Sequence, residues 1–151
     1  MGDRVTFEIK GLDVLQRRLE RLPYKVAIKV LKVALVRAGT LVLNMMRQLA
    51  PKRTGFLSEH FNLRMHTVKE NIAASVFIGP EGKMLYPRRG VGLGHKGRTI
   101  PVASVARFTE LGTSKEKANP FMTQSFETTK DAALQTIIEG VREGISDAEK
   151  S

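Results

Sequence analysis

One stretch of the chain constrains the fold more than any other. Between Pro23 and Pro51, residues 24–49 contain no proline and repeat apolar side chains at steps of three and four. This spacing predicts a single long helix of about 39 Å, at 1.5 Å per residue. One apolar row comprises Ala27, Leu31, Ala34, Ala38, Leu41 and Met45, and an adjacent row comprises Ile28, Leu35, Val42 and Leu49. Such a wide apolar surface suits a helix that lies across a sheet or between neighbours.

Gly39 lies in the interior of this predicted helix, where glycine costs about 1 kcal/mol relative to alanine. It indicates either a close helix crossing or simple tolerance. Alternating apolar and polar residues predict strands at residues 5–9, 61–68 and 74–78. The last two strands are close enough in sequence to form an antiparallel hairpin.

Three further helical segments are expected. Residues 12–22 form a short helix, with Asp13 as N-cap and Gln16 completing a capping box. Apolar spacing resumes at residues 102–111, and a C-terminal helix follows with Asn119 as N-cap and Pro120 at its first position. It ends near residue 145, leaving 146–151 frayed. One of its faces carries Met122, Phe126, Ala133, Ile137 and Val141.

Together these elements predict one α+β domain over residues 1–151, with long N-terminal and C-terminal helices packed on a small antiparallel sheet. Leu31, Leu41 and Phe126 are expected in the core where the helices meet the sheet. The 151 residues are 42% hydrophobic, which is enough for a core. No apolar run approaches the ~18 residues of a membrane span, and no apolar signal segment follows Met1. We therefore expect a soluble protein that makes no membrane contact.

A basic, glycine-rich loop is expected at residues 79–101. Its net charge is +4, from five basic residues and Glu81. Tyr86 is its only aromatic residue, so contact with phosphates is a more natural nucleic-acid mode than base stacking. Docking on an acidic protein surface explains the glycines equally well, and plain solubility charge is the remaining alternative. We expect this loop to be mobile alone and to order in an assembly, with contacts from Lys83, Arg88, Arg89, Lys96 and Arg98.

Motifs of catalysis are missing from the sequence. Residues 92–97 match the glycine spacing of dinucleotide loops, but they follow no clear strand and open no helix. The chain has no cysteine, and none of its three histidines has a second histidine and a carboxylate at ligand spacing. No nucleophile elbow occurs. These observations predict a protein that is not an enzyme and that uses no cofactor or metal.

Several landmarks, taken in order, resemble a known family. Ala50-Pro51-Lys52-Arg53-Thr54-Gly55-Phe56-Leu57 precedes the predicted hairpin, Glu110-Leu111-Gly112-Thr113 follows it, and Ala118-Asn119-Pro120-Phe121 opens the last helix. Over residues 9–145 this set is similar to the neck, or tail-completion, proteins of long-tailed bacteriophages. The residues that carry the resemblance are Pro51, Thr54, Gly55, Leu57, Glu110, Gly112, Thr113, Pro120 and Phe121.

The resemblance implies a virion structural protein that joins head to tail or completes the tail, assembled in the host bacterial cytoplasm. Its partners would be the connector, the tail terminator and the tail tube, and it would form a homo-oligomeric ring, most simply of six copies. A tail terminator or head-closure protein of the same neck is one alternative, and a basic nucleic-acid-binding domain is another. Turn and cap chemistry also explains the motif residues as fixing the fold, with Thr54 capping a short turn and Glu110 capping locally or pairing with Lys115 or Lys117.

Overall fold

A computed structural model describes residues 11–52, 55–68, 70–86 and 100–151. Its elements, in chain order, are α1 (Leu12–Glu20), α2 (Tyr24–Leu49), α3 (Phe56–Glu59), β1 (Phe61–Val68), β2 (Ala73–Pro80), β3 (Leu85–Tyr86), β4 (Ile100–Pro101), α4 (Val102–Leu111) and α5 (Phe121–Lys150). The expected α+β class, with long helices on a small antiparallel sheet, is confirmed. The bounds of α2 and β1 are those that the sequence predicts.

Helices α2 and α5 pack against each other along most of their length and run antiparallel. A Cβ atom built on Gly140 would lie 3.0 Å from the Cβ of Ala34, and one built on Gly144 would lie 2.7 Å from Cγ1 of Val30. The missing side chains let the two helices approach closely at this end of the pair. Gly140 lies against Ala34 and Gly144 lies against Val30. A step of four residues towards the C-terminus of α5 therefore matches a step of four residues towards the N-terminus of α2.

The hairpin covers another side of α2. β1 and β2 pair antiparallel in a register that runs from Phe61 opposite Pro80 to Val68 opposite Ala73. At Gly39 a Cβ would lie 2.5 Å from Cδ1 of Leu63 and 2.9 Å from Cγ1 of Val76. The glycine therefore accommodates the hairpin, so neither of the two alternatives left open by the sequence, a close helix crossing or simple tolerance, describes this position.

The core consists of two clusters at opposite ends of the helix pair. The first contains Phe61 and Phe121, both fully buried, whose rings meet edge to face with centroids 5.7 Å apart. The second joins α1 to the C-terminal half of α5, through Leu15, Leu19, Val141 and Ile145. β3 and β4 form a short antiparallel pair, with Leu85 opposite Pro101 and Tyr86 opposite Ile100.

The predicted core residues are wrong in two of three cases. Leu41 is 41% exposed and Phe126 is 53% exposed, whereas Leu31 packs, partly buried, against the second cluster. The buried row of α5 instead includes Ser125 and Thr129. Their hydroxyls donate to the carbonyl oxygens one turn earlier, each at 2.6 Å, so both polar groups are satisfied inside the helix.

The helix ends also differ from the sequence prediction. α1 has Gly11 at its N-cap, with φ of 92°, and Asp13 lies in the first turn, so the predicted capping box is wrong. α5 begins at Phe121, with Pro120 outside it, and continues to Lys150, so residues 146–150 are helical and not frayed. The predicted strand at residues 5–9 lies outside the described residues. Within those residues, no helix is long and apolar enough to cross a membrane.

Candidate interaction surface

Glu110 joins the end of α4 to the start of α5. Its carboxylate accepts the backbone N–H of Met122 at 2.8 Å and that of Thr123 at 3.0 Å, and it also accepts the hydroxyl of Thr123. These are N–H groups that the first turn of a helix leaves without partners, and a negative charge there is favoured by the helix dipole. Glu110 thus caps α5, as one of its two expected roles had it, and it forms no ion pair with Lys115 or Lys117, which was the other.

The link between α4 and α5 folds back on itself around Gly112 and Thr113. Gly112 has φ of 76° and ψ of 170°, a conformation that is essentially restricted to glycine. A Cβ on it would lie 2.7 Å from the backbone nitrogen of Ala118. The hydroxyl of Thr113 accepts the N–H groups of Lys115 and Glu116 at 3.2 and 3.1 Å, which fixes the turn.

Three motif segments that are distant in the sequence meet at this point. A shallow pocket of about 490 Å³ is lined by Pro51, Leu57, Val105, Thr109, Glu116, Lys117 and Asn119. The N–H of Asn119 donates to the carbonyl of Thr109 at 2.7 Å, which ties the third segment to the second. We call this region, built by residues 50–52, 55–57, 109–113 and 118–123, the motif junction.

Most of the residues predicted to contact partners lie outside the described residues. Lys83 is exposed in the turn between β2 and β3. Arg88, Arg89, Lys96 and Arg98 lie outside the described residues, as does Thr54 of the first motif segment. Their proposed contacts stay predictions.

A different surface feature emerges on α5. One row at i, i+4 spacing is exposed along its whole length and is almost entirely acidic. This acidic row comprises Glu127, Asp131, Gln135, Glu139, Glu143 and Asp147. Sequence reasoning followed the apolar positions of this helix and missed the row, although the four-residue spacing of its acids is visible in the sequence.

The exposed side of α2 has the opposite charge. Helix α2 contains five basic residues and no acidic residue, whereas α5 contains six acidic and three basic residues. Two apolar residues, Val33 and Val36, are 44% and 42% exposed among these cations. We call the exposed cations the basic face: Lys25, Lys29, Lys32, Arg37 and Arg47.

The two charged surfaces touch once within the chain, across a groove between α2 and α5. Arg37 Nη1 lies 3.3 Å from Glu143 Oε2, and both side chains are more than half exposed. The groove has a volume of about 470 Å³ and lies over Val30, Val33, Gly140 and Gly144. Among ion pairs between described residues, none includes Lys25, Lys29 or Lys32.

A second exposed ion pair anchors the end of α5. Arg18 of α1 donates to both carboxylate oxygens of Glu149, at 2.6 and 3.2 Å. The hydrogen bond from Arg18 lowers the pKa of Glu149 below its usual value, and the same contact raises the pKa of Arg18. This bidentate pair connects the last turns of α5 to α1.

No protein-family model, curated protein or solved structure matches this chain. Within the part of the chain that the structure describes, no group of three histidine or carboxylate side chains could hold a metal ion. Function must therefore be inferred from the motif junction and from the charged surfaces.

Proposed function

We propose that this chain is a structural subunit of a bacteriophage neck, where it completes the tail or joins the head to the tail without catalysing a reaction. The observation that carries the proposal is the motif junction. Residues of the three ordered motif segments, from Pro51 through Glu110 to Asn119, converge in space although the hairpin separates the first segment from the others. The three segments that carry the resemblance therefore belong to one region of the fold, which supports reading them as one motif.

The physical properties of the subunit suit such a role. A joint between head and tail needs a firm scaffold that presents outward surfaces to several neighbours. The motif junction supplies the scaffold, because the side chains of Glu110 and Thr113 accept hydrogen bonds from backbone N–H groups of the same chain. The exposed charges of α2 and α5 supply surfaces for neighbours. In this proposal the neighbours are the connector, the tail terminator, the tail tube and other copies of the chain, and the basic segment at residues 79–101 adds contacts to protein or DNA phosphates.

Deletion of the gene tests the proposal. Particles assembled without this chain should accumulate as DNA-filled heads and complete tails that fail to join, or as tails of irregular end structure. Supplying the chain from a plasmid should restore joined, infectious particles. Normal infectivity without the chain would reject the neck role. A tail terminator would instead give tails of uncontrolled length, and a head-closure protein would give heads that lose DNA, so electron microscopy of the deletion separates these alternatives.

Nucleic-acid binding is a second candidate, favoured by the basic face of α2 and by the formal net charge of +10. Cations that neutralise phosphates release counterions, so the affinity for duplex DNA should fall steeply and linearly in a plot of log affinity against log salt. Titration of the purified chain with a DNA duplex at several salt concentrations measures that slope. A slope near zero would reject this candidate.

A further inference from the structure

The hairpin has two open edges among the described residues, because β1 and β2 pair only with each other. The N–H of Glu81 donates to the carbonyl of His60, which fixes the alternation of the ladder. In an antiparallel pair, every second residue turns its backbone N–H and C=O away from the partner strand. On β2 these residues are Ala74, Val76 and Ile78. Such an unpaired edge is a template for a further strand.

The same three residues form the inner face of β2. Val76 lies against Gly39 of α2, whereas Ser75 and Phe77, on either side of it, are exposed on the outer face. The three inner residues are themselves only partly buried, so apolar surface remains accessible beside the open edge. A further strand with apolar residues at every second position would cover this surface.

The backbone of β2 is freer than that of β1. Side chains of α2 bond both ends of β1: Arg47 donates to the carbonyl of Phe61 at 2.9 Å, and the hydroxyl of Tyr24 donates to that of Val68 at 2.9 Å. No side chain of the described residues forms such a bond to the backbone of β2. A third strand is therefore expected on the β2 edge.

Helix α1, to which residues 5–9 are joined, packs beside the start of β2. Ile72, the residue before β2, packs against the cluster that contains Leu15 and Leu19, and it lines a surface pocket together with Leu19. α1 has nine residues, which span about 14 Å. β2 has eight residues, which span about 26 Å. Residues 5–9 are therefore tethered within about a strand's length of the β2 edge.

We propose that residues 5–9 of the same chain bind the β2 edge as the third strand of the sheet. These residues lie outside the described residues, but their sequence matches the edge. Their three apolar side chains alternate with Thr6 and Glu8, and they match the three inner residues of β2 in number and spacing. This match places Phe7 opposite Val76 whether the new strand runs parallel or antiparallel to β2.

The occupant is the chain's own segment because a tethered segment is present at an effective concentration on the order of millimolar. The corresponding segment of a second copy has no such advantage at ordinary protein concentrations. A covered edge also no longer offers its backbone groups to other chains, which prevents association through the hairpin. This contact does not depend on the proposed neck role.

Disulfide trapping tests the contact directly, because the chain has no cysteine of its own. Ser75→Cys is combined with Glu8→Cys for an antiparallel strand and with Thr6→Cys for a parallel one, which gives Cα distances of about 4.5–5.5 Å. The matched control replaces Ser75→Cys with His66→Cys, since His66 is also exposed and lies directly across the hairpin from Ser75. It would be two strands away, at about 10 Å, beyond the roughly 7 Å that a disulfide spans.

Oxidation of the dilute, purified variants should link one of the two Ser75 pairs within a single chain, several-fold faster than the matching His66 pair. The rate should be independent of protein concentration, and urea should remove the difference between test and control. Faster linkage of a His66 pair would place the segment on β1, and products that join two chains would assign the edge to a second copy. Either outcome would overturn the proposal, as would equal linkage in all pairs.

Amide hydrogen exchange tests the contact without cysteines. The N–H groups of Val76 and Ile78 point towards the β2 edge, so they should exchange several-fold more slowly in the full chain than in a chain that lacks residues 1–9. The N–H of Met65, on the β1 edge, should exchange equally in both and is the internal control. Circular dichroism checks that the shortened chain keeps its fold. Unchanged exchange at Val76 and Ile78 would contradict the third strand.

Discussion

The motif junction and the outer rows of α2 and α5 use polar side chains in opposite ways. At the junction, Glu110 accepts three hydrogen bonds from the start of α5, and Thr113 accepts two from its own turn. On the outer rows, Asp131 and Lys29 project into solvent. Polar side chains that form hydrogen bonds within the chain stabilise its fold. Polar side chains that are exposed without such bonds are available to a partner. The comparison connects the motif junction with stability and leaves the outer side chains available for the proposed contacts with neighbours.

The largest expected difference in stability is between alanine substitutions at two phenylalanines of α5 that lie five positions apart. Phe121→Ala removes a fully buried ring that packs on Phe61 and should lower the free energy of unfolding by about 3–5 kcal/mol. Phe126→Ala, at a ring that is 53% exposed, should change it by about 0.5 kcal/mol or less. Chemical denaturation of both variants measures the difference, and similar losses would mean that the face of α5 is misassigned.

Gly112→Ala tests the backbone of the junction. The new Cβ would meet the backbone of Ala118 in a conformation that side chains rarely adopt, so we expect a loss of about 1–3 kcal/mol. Gly82→Ala is the matched control, because no atom lies within 4 Å of the added Cβ. Thermal unfolding of the pair gives the comparison. Equal stability would show that the link can rearrange at no cost.

Glu110→Gln tests the cap of α5 while keeping the shape of the side chain. It removes the negative charge at the helix N-terminus and one of the two carboxylate acceptors. The expected loss is about 0.5–2 kcal/mol, the range for capping residues. Glu116→Gln, at an exposed residue of the same link, should be nearly neutral. If both substitutions act alike, the hydrogen bonds of Glu110 do not stabilise the junction.

The smallest effect concerns the pair between Arg18 and Glu149. Because Arg18 lowers the pKa of Glu149, the pair stabilises the fold above the usual carboxyl pKa, and this stabilisation is lost as pH falls through the lowered value. Glu149→Gln should therefore lower the melting temperature slightly near neutral pH and leave it unchanged in strong acid. A difference that persists in acid would assign the effect to packing. Glu139→Gln, on the acidic row, is the control.

The regular elements were predictable because their signals are local. Pro23 and Pro51 bracket α2, and strict alternation defines β1. The packing faces were less accessible, since Ser125 and Thr129 satisfy their hydroxyls within the helix and then behave as small core residues. A sequence pattern that counts only apolar side chains therefore selects Phe126 in their place.

The junction illustrates a second limit of sequence reasoning. The motif residues could be singled out, and capping was one expected role of Glu110. The helix that it caps could not be predicted, because its donors lie 12 and 13 residues away, beyond a reversal of the chain. Asn119 looked like the cap from its position before Pro120, yet its backbone instead donates to Thr109. Capping by a distant side chain depends on tertiary structure, which local spacing does not encode.

A reconstruction of the native particle without imposed symmetry tests the central claim most directly. It would locate this chain and show which of its surfaces meet. The account predicts a closed ring of copies of this chain at the junction of head and tail. A single asymmetric copy, or a position outside the neck, would contradict it.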